Sequence, residues 1–136
     1  MHAPFPIRVA ERVRLAAEAI GRSVAATWVF GSFSRDDANA ASDVDVAVLC
    51  DPPLGWERAR IADIVAREIG RDVDVVDLAS APPGLAWEIV TTGALAEELD
   101  SAITEAFVRR ARFAVDDDLR RSRMILLAQT APRGAA

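Results

Sequence analysis

The sequence predicts an α/β domain with one small mixed sheet, because short segments rich in β-forming residues alternate with helical segments along the chain. Three such segments cover residues 24–30, 43–49 and 73–78. Helical segments precede, separate and follow them. The chain has 136 residues, 51% of them hydrophobic, which is the size and composition of one domain with one core.

The first half of the chain supplies two of the predicted strands. An amphipathic helix is predicted over residues 7–20, where Gly21 ends the helical spacing of apolar residues. Residues 24–30 are apolar and stop at Gly31, which predicts a buried strand followed by a short helical turn over residues 32–35. Residues 43–49 alternate between valine and other residues, which predicts a strand with one packed face.

The second half continues the alternation. A helix is predicted over residues 56–69, closed by Gly70, and a third strand over residues 73–78. Pro82 and Pro83 open a helix over residues 84–90, and a long helix follows over about 101–127. We therefore expect a single domain over residues 1–136, with a core at about 7–99, a C-terminal helix at about 100–128 and a frayed tail at 129–136.

The residue inventory excludes several chemistries. Cys50 is the single cysteine, His2 is the single histidine, and the chain has no lysine. These counts exclude an internal disulfide, a Cys/His zinc site, a triad with an imidazole base and a Walker phosphate loop. Catalysis must therefore depend on carboxylates, hydroxyls and arginines.

Charge and hydropathy limit the partners. The net charge is -5, with 9 arginines against 16 acids in residues 1–99 and 7 arginines against 5 acids in residues 100–136. A nucleic-acid binder usually has a basic surface, so no direct nucleic acid is expected. There is no apolar run of membrane-spanning length and no signal-peptide pattern, so we expect a cytoplasmic protein without a membrane partner.

Asp43 and Asp45 indicate a metal site. Two residues apart on a predicted strand, they project from the same face about 6 to 7 Å apart along the chain. Carboxylates this close repel each other unless a cation lies between them, and Mg²⁺ prefers oxygen ligands. Asp74, on the third strand, is the predicted third ligand, with Asp72 in reserve. Asp77 has the opposite parity on that strand and is expected to be a solvated strand-end charge.

Gly31 and Ser32 indicate a phosphate-binding turn. Glycine allows the backbone to approach a ligand closely, and the N–H groups at the start of a helical turn can bind phosphate oxygens. Ser32 can donate a hydrogen bond from its hydroxyl. Arg35 is the nearest cation and could bind the β or γ phosphate of a nucleoside triphosphate.

Three motifs together resemble the minimal nucleotidyltransferases (MNT) of the polymerase-beta superfamily. They are Gly31-Ser32-Phe33-Ser34-Arg35, Ser42-Asp43-Val44-Asp45 and Val73-Asp74-Val75-Val76-Asp77-Leu78. The resemblance covers roughly residues 20 to 125. It implies the polymerase-beta-type nucleotidyltransferase fold, ATP as donor, and two Mg²⁺ ions held by Asp43, Asp45 and Asp74. Many members of this family are antitoxins that silence a HEPN ribonuclease toxin by AMPylating one of its tyrosines, so a cognate HEPN toxin is the expected partner.

Other interpretations remain open at this point. The domain could be a non-catalytic antitoxin that binds and occludes a toxin, or a small-molecule transferase of the aminoglycoside type. The C-terminal helix combines apolar residues with six arginines, which fits either a solvated face over a core stripe or a partner-docking surface. The tryptophans Trp28, Trp56 and Trp87 are expected to pack in the core.

Overall fold

The computed structural model describes residues 3–31 and 43–130. The helices are α1 (Phe5–Ala19), α2 (Glu57–Ile69), α3 (Pro83–Thr92) and α4 (Ser101–Thr130), and the strands are β1 (Ser23–Phe30), β2 (Val44–Asp51), β3 (Val73–Asp77) and β4 (Ala94–Glu98). The short turn predicted over residues 32–35 and the tail after residue 130 lie outside the described residues. The other predicted helices and strands are all confirmed, with boundaries that shift by a few residues.

The four strands form one mixed sheet in the order β3-β2-β1-β4. β1 pairs antiparallel with both β2 and β4, whereas β2 and β3 are parallel. The predicted mixed α/β sheet is therefore confirmed. The sequence does not predict β4, because Ala94–Glu98 consists of alanine, leucine and glutamate, which have low or moderate strand propensity. Its pairing with β1 is a tertiary contact that local sequence does not encode.

Helices cover both faces of the sheet. On one face, α1 and α2 pack against β2 through a cluster that includes Val13, Val46, Val48 and Val65. On the other face, α3 and α4 pack against Trp28 and other apolar residues of β1 and β2. The prediction that β2 has one packed face is wrong, because Ala47 and Leu49 on its second face are also buried.

Strand directions decide which residues meet at one end of the sheet. Because β1 is antiparallel to β2, the last residue of β1, Phe30, lies opposite Asp45 near the start of β2. Because β2 is parallel to β3, the start of β3 lies at the same end, with Asp74 beside Asp45. The end of β1 and the beginnings of β2 and β3 therefore converge.

α4 is a 30-residue helix with two different halves. Its first turn is capped by Asp100, whose Oδ1 accepts a hydrogen bond from the N–H of Ile103 at 3.0 Å. Thr104 and Ala111 are buried against the body. Beyond Val115, every residue through Gln129 is exposed. Within the described ranges, none of the helices has the length and apolar character that crossing a membrane requires.

Candidate active site

The candidate site lies where β1 ends and β2 and β3 begin. Asp43 precedes β2 and is exposed, Asp45 is partly buried on β2, and Asp74 is exposed on β3. Asp45 is central, because it pairs with Phe30 on one side and with Asp74 on the other. Residues directly opposite each other on adjacent strands point to the same face, so the carboxylates of Asp45 and Asp74 share one face of the sheet.

The surroundings of Asp45 perturb the ionisation of its carboxyl group. Its pKa is raised above the ordinary value, first by desolvation and then by the negative charges of Asp74 and Asp43. Both neighbours are thus close enough to repel the Asp45 carboxylate. The structure brings the three predicted acids into electrostatic contact, centred on Asp45.

Asp72 has different surroundings. It is exposed, and its main-chain carbonyl accepts a hydrogen bond from the N–H of Val44 at 2.9 Å. Its carboxylate is not among the causes of the raised Asp45 pKa. These observations favour Asp74 over the reserve candidate Asp72 as the third acid.

The expectation that Asp77 is a solvated charge is wrong. It is only 4% exposed, and its Oδ2 accepts hydrogen bonds from the N–H of Gly55 at 3.0 Å and from the Ser80 hydroxyl at 2.8 Å. As predicted, the side chain of Asp77 lies on the opposite face of β3 from that of Asp74, which is the face covered by α2. Its hydrogen bonds connect the loop before α2 to the turn after β3. Asp77 therefore has a structural position away from the three site acids.

Gly31 contacts the central acid directly. Its φ is +70°, in the left-handed region, and a Cβ at this position would overlap Oδ2 of Asp45 and lie 3.3 Å from its Cγ. A side chain at residue 31 would therefore occupy the space of the Asp45 carboxylate. Spacing in the sequence identified Gly31 as a turn residue but gave no sign of this contact.

The remaining predicted site residues, Ser32 and Arg35, lie outside the described residues. The two described residues on either side of residues 32–42 are Gly31 and Asp43. Gly31 contacts the Asp45 carboxylate, and the negative charge of Asp43 raises the pKa of Asp45. The structure adds Phe30 to the surroundings of the site, since it is the β1 partner of Asp45. In the sequence, the position of Phe30 directly before Gly31 was the one indication that it lies near the site.

The donor chemistry of the site fits a hard divalent cation. Carboxylate oxygens are the preferred ligands of Mg²⁺, and a cation would relieve the repulsion that raises the pKa of Asp45. Among residues 3–31 and 43–130, no three acidic, histidine or cysteine side chains already converge as a complete ligand group.

Comparison with known proteins identifies the family. A family model described as polymerase beta, nucleotidyltransferase matches residues 16–101, which include Gly31, Asp43, Asp45 and Asp74. The chain belongs to the polymerase beta nucleotidyltransferase family. The predicted fold class and the resemblance to this superfamily are therefore confirmed.

Individual proteins are also similar to this chain. Over 70 residues it is 39% identical to a protein adenylyltransferase, MntA, of Shewanella oneidensis; the alignment covers 48% of each protein, so the chain spans about half the length of this curated relative. A crystal structure of a toxin-antitoxin with AMP-PNP matches with a TM-score of 0.71 and 25% identity, over 88% of this chain and 95% of that chain. A tri-AMPylated Shewanella oneidensis HEPN toxin in complex with an MNT antitoxin matches with a TM-score of 0.67 and 23% identity, over 92% and 98% of the two chains, and supports the fold.

The three tryptophans differ in position. Trp28 is 3% exposed and lies in the core on the α3 and α4 side, and Trp87 is partly buried against the same cluster. Trp56, however, is 98% exposed, so the expectation that it packs in the core is wrong. It immediately precedes α2, where the apolar face of that helix has not yet begun.

Proposed function

We propose that this member of the family is an antitoxin that transfers AMP from ATP to a hydroxyl group, a tyrosine of a cognate HEPN ribonuclease toxin. The observation that carries the proposal is the raised pKa of Asp45 beside Asp74 and Asp43, within a matched nucleotidyltransferase domain. The relatives support ATP as donor and a protein as acceptor: one is named a protein adenylyltransferase, and another is a toxin-antitoxin with AMP-PNP. The tyrosine is the acceptor that the resemblance to the MNT family implies.

The three acids have distinct roles in the proposed reaction. Asp43 and Asp45 would hold the divalent cations, with Asp74 as the third ligand, and two Mg²⁺ ions are expected. When bound, Mg²⁺ supplies charge neutralisation for the phosphates and for the attacking hydroxyl. Asp74, which is exposed on β3, is also proposed to accept the proton of the acceptor hydroxyl.

Gly31, Ser32 and Arg35 are assigned to the triphosphate. The glycine leaves room for the Asp45 carboxylate. The serine N–H and hydroxyl are proposed to donate to phosphate oxygens. Arg35 binds the β or γ phosphate bidentately and stabilises the charge that develops on the leaving group.

The proposed reaction transfers the AMP group of ATP to the acceptor oxygen. The acceptor oxygen forms a bond to the α-phosphorus of ATP, and the bond from that phosphorus to the α–β bridging oxygen breaks. Pyrophosphate leaves with the electron pair, and the hydroxyl proton passes to Asp74. The product is an AMP ester of the acceptor.

The acceptor tyrosine must belong to another molecule, because this chain contains no tyrosine. The purified chain, incubated with Mg²⁺ and ATP labelled at the α phosphate, should acquire no tyrosine-linked label. Addition of the cognate HEPN toxin should produce a labelled toxin, with the modified tyrosine identified by mass spectrometry.

Asp45→Asn is the matched control for this experiment. It removes one charge without changing the size of the side chain, so toxin binding should persist while labelling is lost. Strong labelling of the chain on its own serine or threonine, independent of toxin, would contradict a toxin acceptor. Toxin inhibition by Asp45→Asn without any labelling, in the variant or the wild type, would instead support a non-catalytic antitoxin that acts by occlusion.

A further inference from the structure

A cavity lies beside the edge strand β3, between the start of α2 and the turn that follows β3. Its volume is about 390 Å³, within the range of roughly 300 to 1,000 Å³ that is typical of small-molecule sites. Asp77 lies three residues after Asp74 on β3, or about 10 Å along the strand, and on the opposite face. The cavity is therefore separate from the three site acids. The residues that line it include Gly55, Trp56, Arg58, Asp77, Ser80 and Leu85.

The carboxylate of Asp77 has one oxygen without a hydrogen bond. Its Oδ2 accepts hydrogen bonds from the N–H of Gly55 and the hydroxyl of Ser80, and both of these residues also line the cavity. Its Oδ1 is buried and has no hydrogen-bond partner in the part of the chain that the structure describes. A buried acceptor without a partner costs free energy, which a donor entering from the cavity would remove. The cavity therefore favours a ligand with a hydrogen-bond donor.

Trp56 gives the cavity a flat apolar surface. Its side chain is 98% exposed, directly before the start of α2. A planar ligand that covers this ring would remove apolar area from water and gain a stacking contact. Nucleobases stack well on aromatic side chains, because every base has a π face. The exposed tryptophan therefore favours a planar ligand.

Arg58 and the first turn of α2 favour an anionic group. Arg58 is exposed and makes no ion pair among residues 3–31 and 43–130. Glu57, the acid of this turn, contacts a different arginine, Arg60, at 3.8 Å. The N-terminus of a helix carries a partial positive charge, and no side chain of the described residues caps α2. Because arginine binds phosphate oxygens in a bidentate manner, a phosphate group fits this wall of the cavity.

We propose that this cavity binds a nucleotide whose base carries an amino group. The base stacks on Trp56, its amino group donates a hydrogen bond to Oδ1 of Asp77, and its phosphate is bound by Arg58 at the start of α2. A simple amine, a free phosphate or an apolar ring would each satisfy only one of these three residues. The site is distinct from the site of the ATP donor, and binding there does not depend on transfer of AMP.

Nuclear magnetic resonance of the isotope-labelled full chain tests the proposal directly. AMP, GMP and CMP are titrated in the presence of a chelator, so that the donor site lacks its cations. The indole N–H signal of Trp56, identified as the one missing in Trp56→Phe, should shift in a saturable manner and more than the signals of Trp28 and Trp87. If none of the three nucleotides produced a saturable shift of this signal, the proposal would be overturned, and a buried water would remain as the partner of Oδ1.

Purine riboside 5′-monophosphate, which lacks the amino group of AMP, is the matched ligand. Its Kd should be about tenfold higher than that of AMP, because a hydrogen bond to a charged acceptor is lost. Asp77→Asn keeps one acceptor oxygen for Gly55 and Ser80 but replaces the other oxygen with an amide NH₂ group, so the preference for AMP should disappear. A variant that was only less stable would bind both ligands less tightly and keep the preference. Equal affinity of the wild type for the two ligands would overturn the proposal.

Substitutions on α2 test the phosphate contact. Arg58→Gln should raise the Kd of AMP about tenfold and leave that of adenosine, which has no phosphate, unchanged. Arg67→Gln is the matched control, because Arg67 is exposed on the same helix and lies outside the cavity, so both affinities should stay at the wild-type values. Equal effects of the two substitutions on AMP binding would overturn the proposal.

The stacking contact is tested by calorimetry of Trp56→Ala, which should bind both AMP and adenosine about tenfold less tightly than the wild type. Unchanged affinity for both ligands would overturn the proposal. Transfer of AMP to the toxin is measured separately and should be retained in Trp56→Ala and Arg58→Gln. Failure of this site and failure of the proposed function therefore give different results.

Discussion

Gly31 and Asp45 are packed so closely that a side chain on the glycine would overlap the aspartate carboxylate. The contact joins the end of β1 to the start of β2, and the glycine has a φ of +70°. It links the predicted phosphate-binding turn to the predicted metal site through direct packing.

Gly31→Ala should therefore abolish nucleotide transfer. The new Cβ would displace the Asp45 carboxylate, in addition to a backbone cost of about 1 to 2 kcal/mol for a non-glycine residue in the left-handed region. Gly21→Ala is the matched control, because Gly21 has a φ of +80° and a Cβ added there would meet no atom within 4 Å. Gly31→Ala should lose at least as much stability in thermal unfolding as Gly21→Ala, and only Gly31→Ala should lose transfer when both are assayed well below their unfolding transitions. Equal transfer by the two variants would contradict the role of the contact.

The stability of the metal-free protein should depend on pH through Asp45. Its pKa is raised in the folded state, so the folded protein binds the proton more tightly than the unfolded chain. This contribution to the free energy of unfolding is fully present below the ordinary pKa of 3.8 and is lost as the pH rises through the raised pKa. Asp45→Asn should remove that dependence, and at neutral pH without divalent cations it should melt at the same temperature as the wild type or higher.

Denaturant unfolding of both proteins at a series of pH values, with a chelator, measures this difference. Added Mg²⁺ should then stabilise the wild type more than Asp45→Asn, because the cation binds the charged carboxylate. If the free energy of unfolding of the wild type exceeded that of Asp45→Asn by an amount that grew with pH in the absence of metal, the raised pKa of Asp45 would be contradicted.

Substitution of Asp74 should reduce activity without loss of stability, and substitution of Asp77 should reduce stability without loss of activity. Asp74→Asn changes an exposed residue beside Asp45, so transfer should fall by orders of magnitude while the melting temperature stays near that of the wild type. Asp77→Ala removes the acceptor of two hydrogen bonds in a buried position and should cost about 1 to 3 kcal/mol of stability. Its transfer rate, measured well below the unfolding transition, should remain close to that of the wild type, and the reverse ranking would place the site on the other face of β3.

Cys50 should be unreactive in the folded protein. Burial first, and then the negative charge of Asp77, raise the pKa of its thiol to about 12. Because the thiolate is the reactive form, alkylation at pH 8 should be slow in the native state and should yield one modified thiol per chain in denaturant. The rate should increase in Asp77→Ala, which lowers both the repulsion and the stability; rapid alkylation of the native wild type would contradict the buried position.

The grouping of the three acids was predictable because they follow strand periodicity. Asp43, Asp45 and Asp74 have the parity that places them on one face, and the structure brings them into contact by charge. Their convergence also required that β2 and β3 begin at the same end of the sheet, which the structure shows because the two strands are parallel. The roles of these acids, and those of Ser32 and Arg35, remain predictions.

The sequence by itself determined the helices and three strands, because turn glycines, prolines and apolar periodicity are local signals. Only the tertiary structure decided the rest. β4 forms because β1 offers an edge for pairing, although residues 94–98 have no strand periodicity of their own. Trp56 is exposed and Asp77 is buried because exposure depends on which segments pack over a residue, and for Asp77 these are the loop at Gly55 and the turn at Ser80. Contacts between segments distant in the chain leave no trace in local composition, and that is the physical reason why they could not be predicted from the sequence.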